Sequence, residues 1–185
     1  MQLYLFKTVL VSCFINIVSS ANAQQPEAAD TVLNNAFILA AKENKNVFII
    51  FHASWCGWCR KMDSSINDKT CKQLFEDNYI IRHLVVHESK NRKQSENPGA
   101  LALLTKYNGG DQGIPFWLVF DKNGKLLADS QVGAEGEGLD KKGQNSGCPA
   151  SVEEVNYFIR VLKHTSRLTD PELRVIEKRF RQNEN

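Results

Sequence analysis

No apolar run in this 185-residue chain is long enough to cross a bilayer, which takes about 20 residues. Neither charge is in excess: 23 Lys and Arg stand against 21 Asp and Glu. The basic residues are scattered, so nothing points to nucleic acid as a partner. Internal repeats are absent. The five cysteines include a single C-x-x-C. That supplies two metal ligands where zinc takes four, and the spacings of Cys71, Cys148 and His52 match no closed zinc pattern.

The first 23 residues predict a secretory signal peptide. Lys7 is their single charge, the apolar stretch Thr8 to Val18 is too short to span, and Ser19-Ser20-Ala21-Asn22-Ala23 offers a small-residue cleavage site. Cleavage there leaves 162 residues, Gln24 to Asn185, with 22 basic against 21 acidic side chains. That suits one domain with a substantial core. Leu10-Val11-Ser12-Cys13 is the competing reading, a lipoprotein site that would leave a lipidated Cys13. The expected location is therefore exported, periplasmic or extracellular, where disulfides persist.

Periodicity orders the elements. Asp30 is placed to cap a helix with Val32, Leu33, Ala36, Phe37, Ala40 and Ala41 on one face. Residues 47–52 are apolar on both faces, as in a central strand covered by helices. A helix with Met62 and Ile66 inward follows and breaks at Asn67-Asp68. Thr70 and Gln73 resemble a capping box for a short helix with Leu74 and Phe75. Tyr79 to His87 predicts a second strand, Ala100 to Tyr107 a short helix, and Pro115 to Phe120 a third strand. Asp121-Lys122-Asn123-Gly124 turns into a fourth, Lys125 to Gln131. Gly133 to Pro149 holds five glycines and reads as a long surface loop of the sort that is often functional. Ser151 and Glu154 form a capping box for a helix striped with Val152, Val155, Phe158, Ile159 and Leu162. Thr169-Asp170-Pro171-Glu172 starts a last helix. The first two strands, joined through a helix, are expected to run parallel, with the hairpin adding an antiparallel edge.

Chemistry concentrates in Trp55-Cys56-Gly57-Trp58-Cys59, directly after the first strand. Two residues between the cysteines put both sulfurs on the first turn of one helix. The first then faces unpaired backbone N–H groups and the positive end of the helix dipole, which favour a thiolate, the reactive form. The second is close enough to close a disulfide.

Phe51 to Lys61, with Gly113-Ile114-Pro115-Phe116 before the hairpin, resembles the thioredoxin-fold superfamily over residues 30–165, and exported bacterial thioredoxin-like proteins most of all. The resemblance implies an α/β thioredoxin fold: a central mixed sheet of four to five strands flanked by helices, with 166–185 as an extra C-terminal helical extension. It implies a cis Ile114–Pro115 bond facing the dithiol, whose neighbouring backbone pairs with an extended substrate segment. It implies thiol–disulfide exchange, with Cys56 attacking and Cys59 resolving, and with Trp55, Gly57, Trp58, Ile114 and Pro115 against the substrate. Ile50 stands where thioredoxin carries a buried acid, which leaves open what deprotonates Cys59. His87 and Glu88 are candidates by fold analogy.

The expected partners are protein thiols and disulfides, with a membrane electron donor if the protein reduces, and neither an organic cofactor nor a metal is expected. The chain is expected to act as a monomer. Reductase, oxidase and isomerase share this chemistry and differ in potential. Two other classes stay open: copper binding or relay by soft thiolates, and a binding or chaperone module whose dithiol is incidental. Cys71 and Cys148 are expected either to pair, pinning the glycine-rich loop, or to remain separate buried thiols. His83 and His87, four apart in a strand, are expected on one face.

Overall fold

The computed structural model describes residues 25–133, 139 and 143–184. The signal-peptide reading, Cys13, and 134–138 and 140–142 of the glycine-rich loop fall outside them. Among the described residues six α-helices and four strands follow in order: α1 (Ala29–Glu43), β1 (Asn46–His52), α2 (Gly57–Ile66), α3 (Lys72–Asn78), β2 (Tyr79–Val85), α4 (Ala100–Lys106), β3 (Phe116–Phe120), β4 (Leu126–Asp129), α5 (Val152–Thr165) and α6 (Asp170–Phe180).

The sheet runs β2-β1-β3-β4. β1 and β2 are parallel, β1 and β3 antiparallel, β3 and β4 antiparallel. This is the mixed, helix-flanked sheet of a thioredoxin fold, with four strands. Side-chain alternation divides the core. Phe48 and Ile50 of β1 join Trp117 and Val119 of β3 on one face, under α2, α3, α5 and α6. Val47, Ile49 and Phe51 join Phe116, Leu118 and Phe120 on the other, under α1 and α4. β1 is therefore apolar at every position but its ends and β3 at every position, as a doubly covered sheet demands. Phe48, Trp117 and Phe158 meet with centroids 5.5–6.3 Å apart, pairs worth roughly 0.5–1.5 kcal/mol each beyond their burial.

Several local expectations shift. α1 begins at Ala29, not after Asp30, because the Ala29 N–H is taken by Pro98 O at 2.8 Å; Asp30 sits in the first turn, still favourable to the dipole. Thr70 forms no capping box with Gln73. Its N–H and hydroxyl go to Asp68 at 2.9 and 2.7 Å, and Cys71 occupies the N-cap of α3. β2 ends at Val85, two residues early, and His87 takes a left-handed φ of 55°. That breaks the alternation, so His83 and His87 share no face. β4 stops at Asp129, whose carboxylate accepts the Gln131 N–H at 2.9 Å. The capping box at Ser151 and Glu154 is present, and Glu172 accepts both the N–H and the hydroxyl of Thr169. The last helix packs Leu173, Ile176 and Phe180 into the core.

Candidate active site

β1 delivers the chain to Ala53, just past the C-terminal end of this central strand, and Cys56 is the N-cap of α2. Its backbone is extended (φ −74°, ψ 108°), which turns the side chain back over the helix start, so Sγ accepts the Cys59 N–H at 3.0 Å. Cys56 and Cys59 form a disulfide across a Cα separation of 5.3 Å. Both are almost covered, whereas Trp55 and Trp58 beside them are 57% and 49% exposed. Gly57 at the first helical position is exposed as well.

The opposite wall is the turn before β3. β1 and β3 run antiparallel with Phe51 opposite Phe116, so the exit of one strand adjoins the entry of the other. Ile114–Pro115 is cis, and the Ile114 carbonyl oxygen lies 3.5 Å from Cys56 Sγ. Ile114 packs against Ala53, Cys56 and Cys59.

The loop before the dithiol is held from below. The buried Glu88 carboxylate accepts the Ser54 N–H at 2.6 Å and the Ser54 hydroxyl at 2.9 Å. Hydrogen bonding from the Ser54 N–H leads the forces holding its carboxyl below the usual range. The Trp55 indole donates to His87 O at 2.8 Å and Arg60 to Ser54 O at 3.0 Å. Glu88, suggested by analogy as a proton acceptor, is thus an ionised anchor committed to Ser54, and His87 contributes its carbonyl.

Beneath α2, His83 Nε2 meets Asp63 Oδ1 at 2.8 Å, and the His52 and His83 rings lie 5.0 Å apart. Burial, then the neighbouring His83, lowers the His52 pKa, so it is neutral at pH 7. Ile50, in the position of thioredoxin's buried acid, is packed in the apolar core.

Cys71 and Cys148 are unpaired and buried. Each is engaged locally: Cys71 Sγ is 3.6 Å from the Thr70 hydroxyl, and Cys148 Sγ receives the Asn183 amide at 3.4 Å. Burial pushes both thiols up, Cys148 to about 12. Among the described residues, no three His, Cys, Asp or Glu side chains converge as metal ligands, and no helix is long and apolar enough to cross a membrane.

Two further side chains shape the site and have no sequence signal. Asn145 donates to Gly113 O at 2.6 Å and Pro115 O at 3.0 Å. Asn183, which is buried, accepts the Ser65 hydroxyl of α2 at 3.0 Å, while its backbone carbonyl takes Lys61 Nζ at 2.9 Å.

Comparison with known proteins finds partial relatives. The chain is 28% identical over 96 residues to the thiol:disulfide interchange protein DsbD of Photorhabdus laumondii, spanning 51% of this chain and 15% of that protein. It is 27% identical over 127 residues to protein disulfide-isomerase 1 of Dictyostelium discoideum, spanning 66% of this chain and 30% of that one. The chain thus covers under a third of either relative. Among solved structures, the disulphide isomerase of Xylella fastidiosa aligns over 63% of this chain and 80% of its own, with 21% identity and a TM-score of 0.46. The thioredoxin-like family model matches residues 28–122, from the start of α1 through the dithiol and the cis turn to the β3–β4 hairpin. With over half of its length matched, and with the sheet order and the C-x-x-C in place, the chain belongs to the thioredoxin-like family.

Proposed function

We propose that the chain is an exported thiol–disulfide oxidoreductase acting on proteins. The observation that carries the reading is the Cys56–Cys59 disulfide at the N-terminus of α2, between two exposed indoles and beside the Ile114 carbonyl. When the pair is reduced, the helix N-terminus stabilises a Cys56 thiolate. That thiolate attacks one sulfur of a partner disulfide. A mixed disulfide forms, and the partner's other sulfur leaves as a thiolate. Cys59, having lost its proton, attacks Cys56 Sγ and expels the first partner sulfur. Two electrons pass to the partner, and Cys56–Cys59 is again oxidised. Run backwards, the same steps oxidise a partner dithiol.

Trp55 and Trp58 offer apolar surface to the partner, and Gly57 keeps the approach between them open. Ile114 and Pro115 present backbone to an extended segment. In the reducing direction, a membrane protein would restore the dithiol outside the cytosol. Cleavage after Ala23, or lipidation of Cys13, would put the domain there.

The deciding measurement is the midpoint potential of the mature protein in glutathione and dithiothreitol buffers, read by mass spectrometry after thiol alkylation. A reversible couple near about −270 mV marks a reductant and one near about −120 mV an oxidant. If Cys56 and Cys59 show no reversible couple in this range, the reading falls.

A further inference from the structure

The glycine-rich segment after β4 has an internal purpose that the dithiol chemistry does not account for. Its returning end, from Gln144 to Gly147, lies along the residues that follow β4. Val132 N–H donates to Gln144 O and Ser146 N–H to Ser130 O, both at 2.8 Å, with Gln131 and Asn145 bridged. The indole of Trp117, fully buried in β3, donates to Gly147 O at 2.9 Å. Asn145 is therefore mounted on the sheet.

Its amide orientation is dictated by its neighbours. Oδ1 accepts the Gly147 N–H at 3.0 Å, so the NH2 group must face the other way. There its two donors meet Gly113 O at 2.6 Å and Pro115 O at 3.0 Å, the carbonyls on either side of Ile114. Gly147 sits at φ +57°, in the left-handed region that favours glycine, which lets the chain turn so that its N–H meets Asn145 Oδ1. Between the two clamped carbonyls, Ile114 keeps both of its backbone polar groups clear of Asn145. Among the described residues its N–H has no partner, and its carbonyl faces Cys56 Sγ.

We infer that Asn145 is a positioning residue for protein substrates: by holding the carbonyls of Gly113 and Pro115 it leaves Ile114 alone to pair with an extended backbone beside Cys56. This rests on the oxidoreductase reading. A disulfide within a polypeptide needs the clamp. A small disulfide with no backbone to dock does not.

The test compares N145D and N145A with the parent. Aspartate matches asparagine in shape and still accepts the Gly147 N–H, but it sets an oxygen against two carbonyls. The substrates are insulin, a protein disulfide, and bis(2-hydroxyethyl) disulfide, a small one. The expected result in N145D is a KM for insulin about tenfold higher, from losing two hydrogen bonds and setting a carboxylate oxygen against two carbonyls, with kcat little changed. In N145A, which adds no charge near Cys56, the rate on the small disulfide falls less than the efficiency on insulin, so the loss follows the polypeptide. N145A shows a smaller rise in KM. An unchanged insulin KM in N145D overturns the inference. So does an equal loss on both substrates, which would mean general collapse of the site. A parent chain that reduces neither substrate removes the oxidoreductase reading, and with it a substrate role for Asn145. Amide shifts of Gly113, Ile114 and Phe116 give a readout independent of activity, and if they are unmoved in N145D the clamp itself is refuted.

Discussion

Two cysteines in this protein occupy the same place on a helix and meet opposite fates. Cys56 and Cys71 are both N-cap residues, of α2 and α3. Cys56 has an extended backbone, its sulfur accepts a helix N–H, and it is joined to Cys59. Cys71 has a helical backbone (φ −108°, ψ −32°), makes no cap bond, and packs in the core with Phe75 and Phe158. Position at a helix start therefore does not make a thiol reactive. The backbone torsion that aims sulfur at the free N–H groups does. Cys148 extends the contrast, as a thiol walled in by apolar neighbours and one amide donor.

The contrast is broken most severely by removing a sulfur. Cys56→Ser should lower exchange with a protein disulfide at least about a thousandfold, since a hydroxyl is a far poorer nucleophile than a thiolate. Cys59→Ser should instead accumulate the mixed disulfide, visible as an adduct by mass spectrometry. C71A and C148A should exchange at the parental rate, and a large loss in either would dissolve the distinction drawn above.

Alkylation grades the same difference. In the reduced native protein at pH 8, iodoacetamide should modify Cys56 about a hundredfold faster than Cys71 or Cys148, and the gap should vanish in denaturant. The Cys148 thiol, moved from 9.0 to about 12 by burial, also links stability to pH. Above pH 9 the unfolded chain loses the thiol proton while the folded one keeps it, so stability drains away toward pH 12. This group contributes a slope of up to about 1.4 kcal/mol per pH unit, measurable by urea titration and reduced in C148A.

The frame around the dithiol is the next lever. Glu88→Ala leaves the Ser54 N–H without its acceptor and should cost about 1–3 kcal/mol, while Glu88→Gln, which can still accept it, should cost less. Because the Glu88 pKa is depressed in the folded state, its contribution is complete above the ordinary carboxylate value of 4.5 and fades as pH falls through the folded value. Equal stability of E88A and parent at pH 7 would refute the anchor. The smallest effect belongs to Cys71→Ala, a loss of about 1 kcal/mol from missing core contacts with no change in exchange chemistry.

What the sequence revealed and what it hid divide by range. The β1 strand, the dithiol helix, the Ser151–Glu154 box and the β3–β4 hairpin are written in contiguous residues, and the chain could be read for them. The Ile114-Pro115 pair was legible because the resemblance gave it a place. The supports were not. Glu88 reaches Ser54 across 34 residues, Asn145 reaches Gly113 across 32, and Asn183 reaches Ser65 across 118. No local pattern encodes such contacts, since any polar residue at those positions reads as solvent-facing. The misplaced helix starts share one cause: Asp30 and Thr70 are fitting cap residues, but Pro98 O and Asp68 satisfied the backbone and hydroxyl groups concerned.

The Phe51–Phe116 pairing carries one further consequence. Cys56 follows that rung on one strand and Pro115 precedes it on the other, so the gap between the two walls is metered by strand registry. The irregularity in the sheet lies between Val119 and Phe120, on the ladder toward β4 and away from this rung. A slip of one residue between β1 and β3 would turn Trp117 out of its pocket and advance the proline turn along the sheet by a single step, about 3.3 Å. Sheet alignment thus acts as the calibration of the instrument. Damage deep in the hydrophobic interior should announce itself first as altered sulfur chemistry, before the molecule melts.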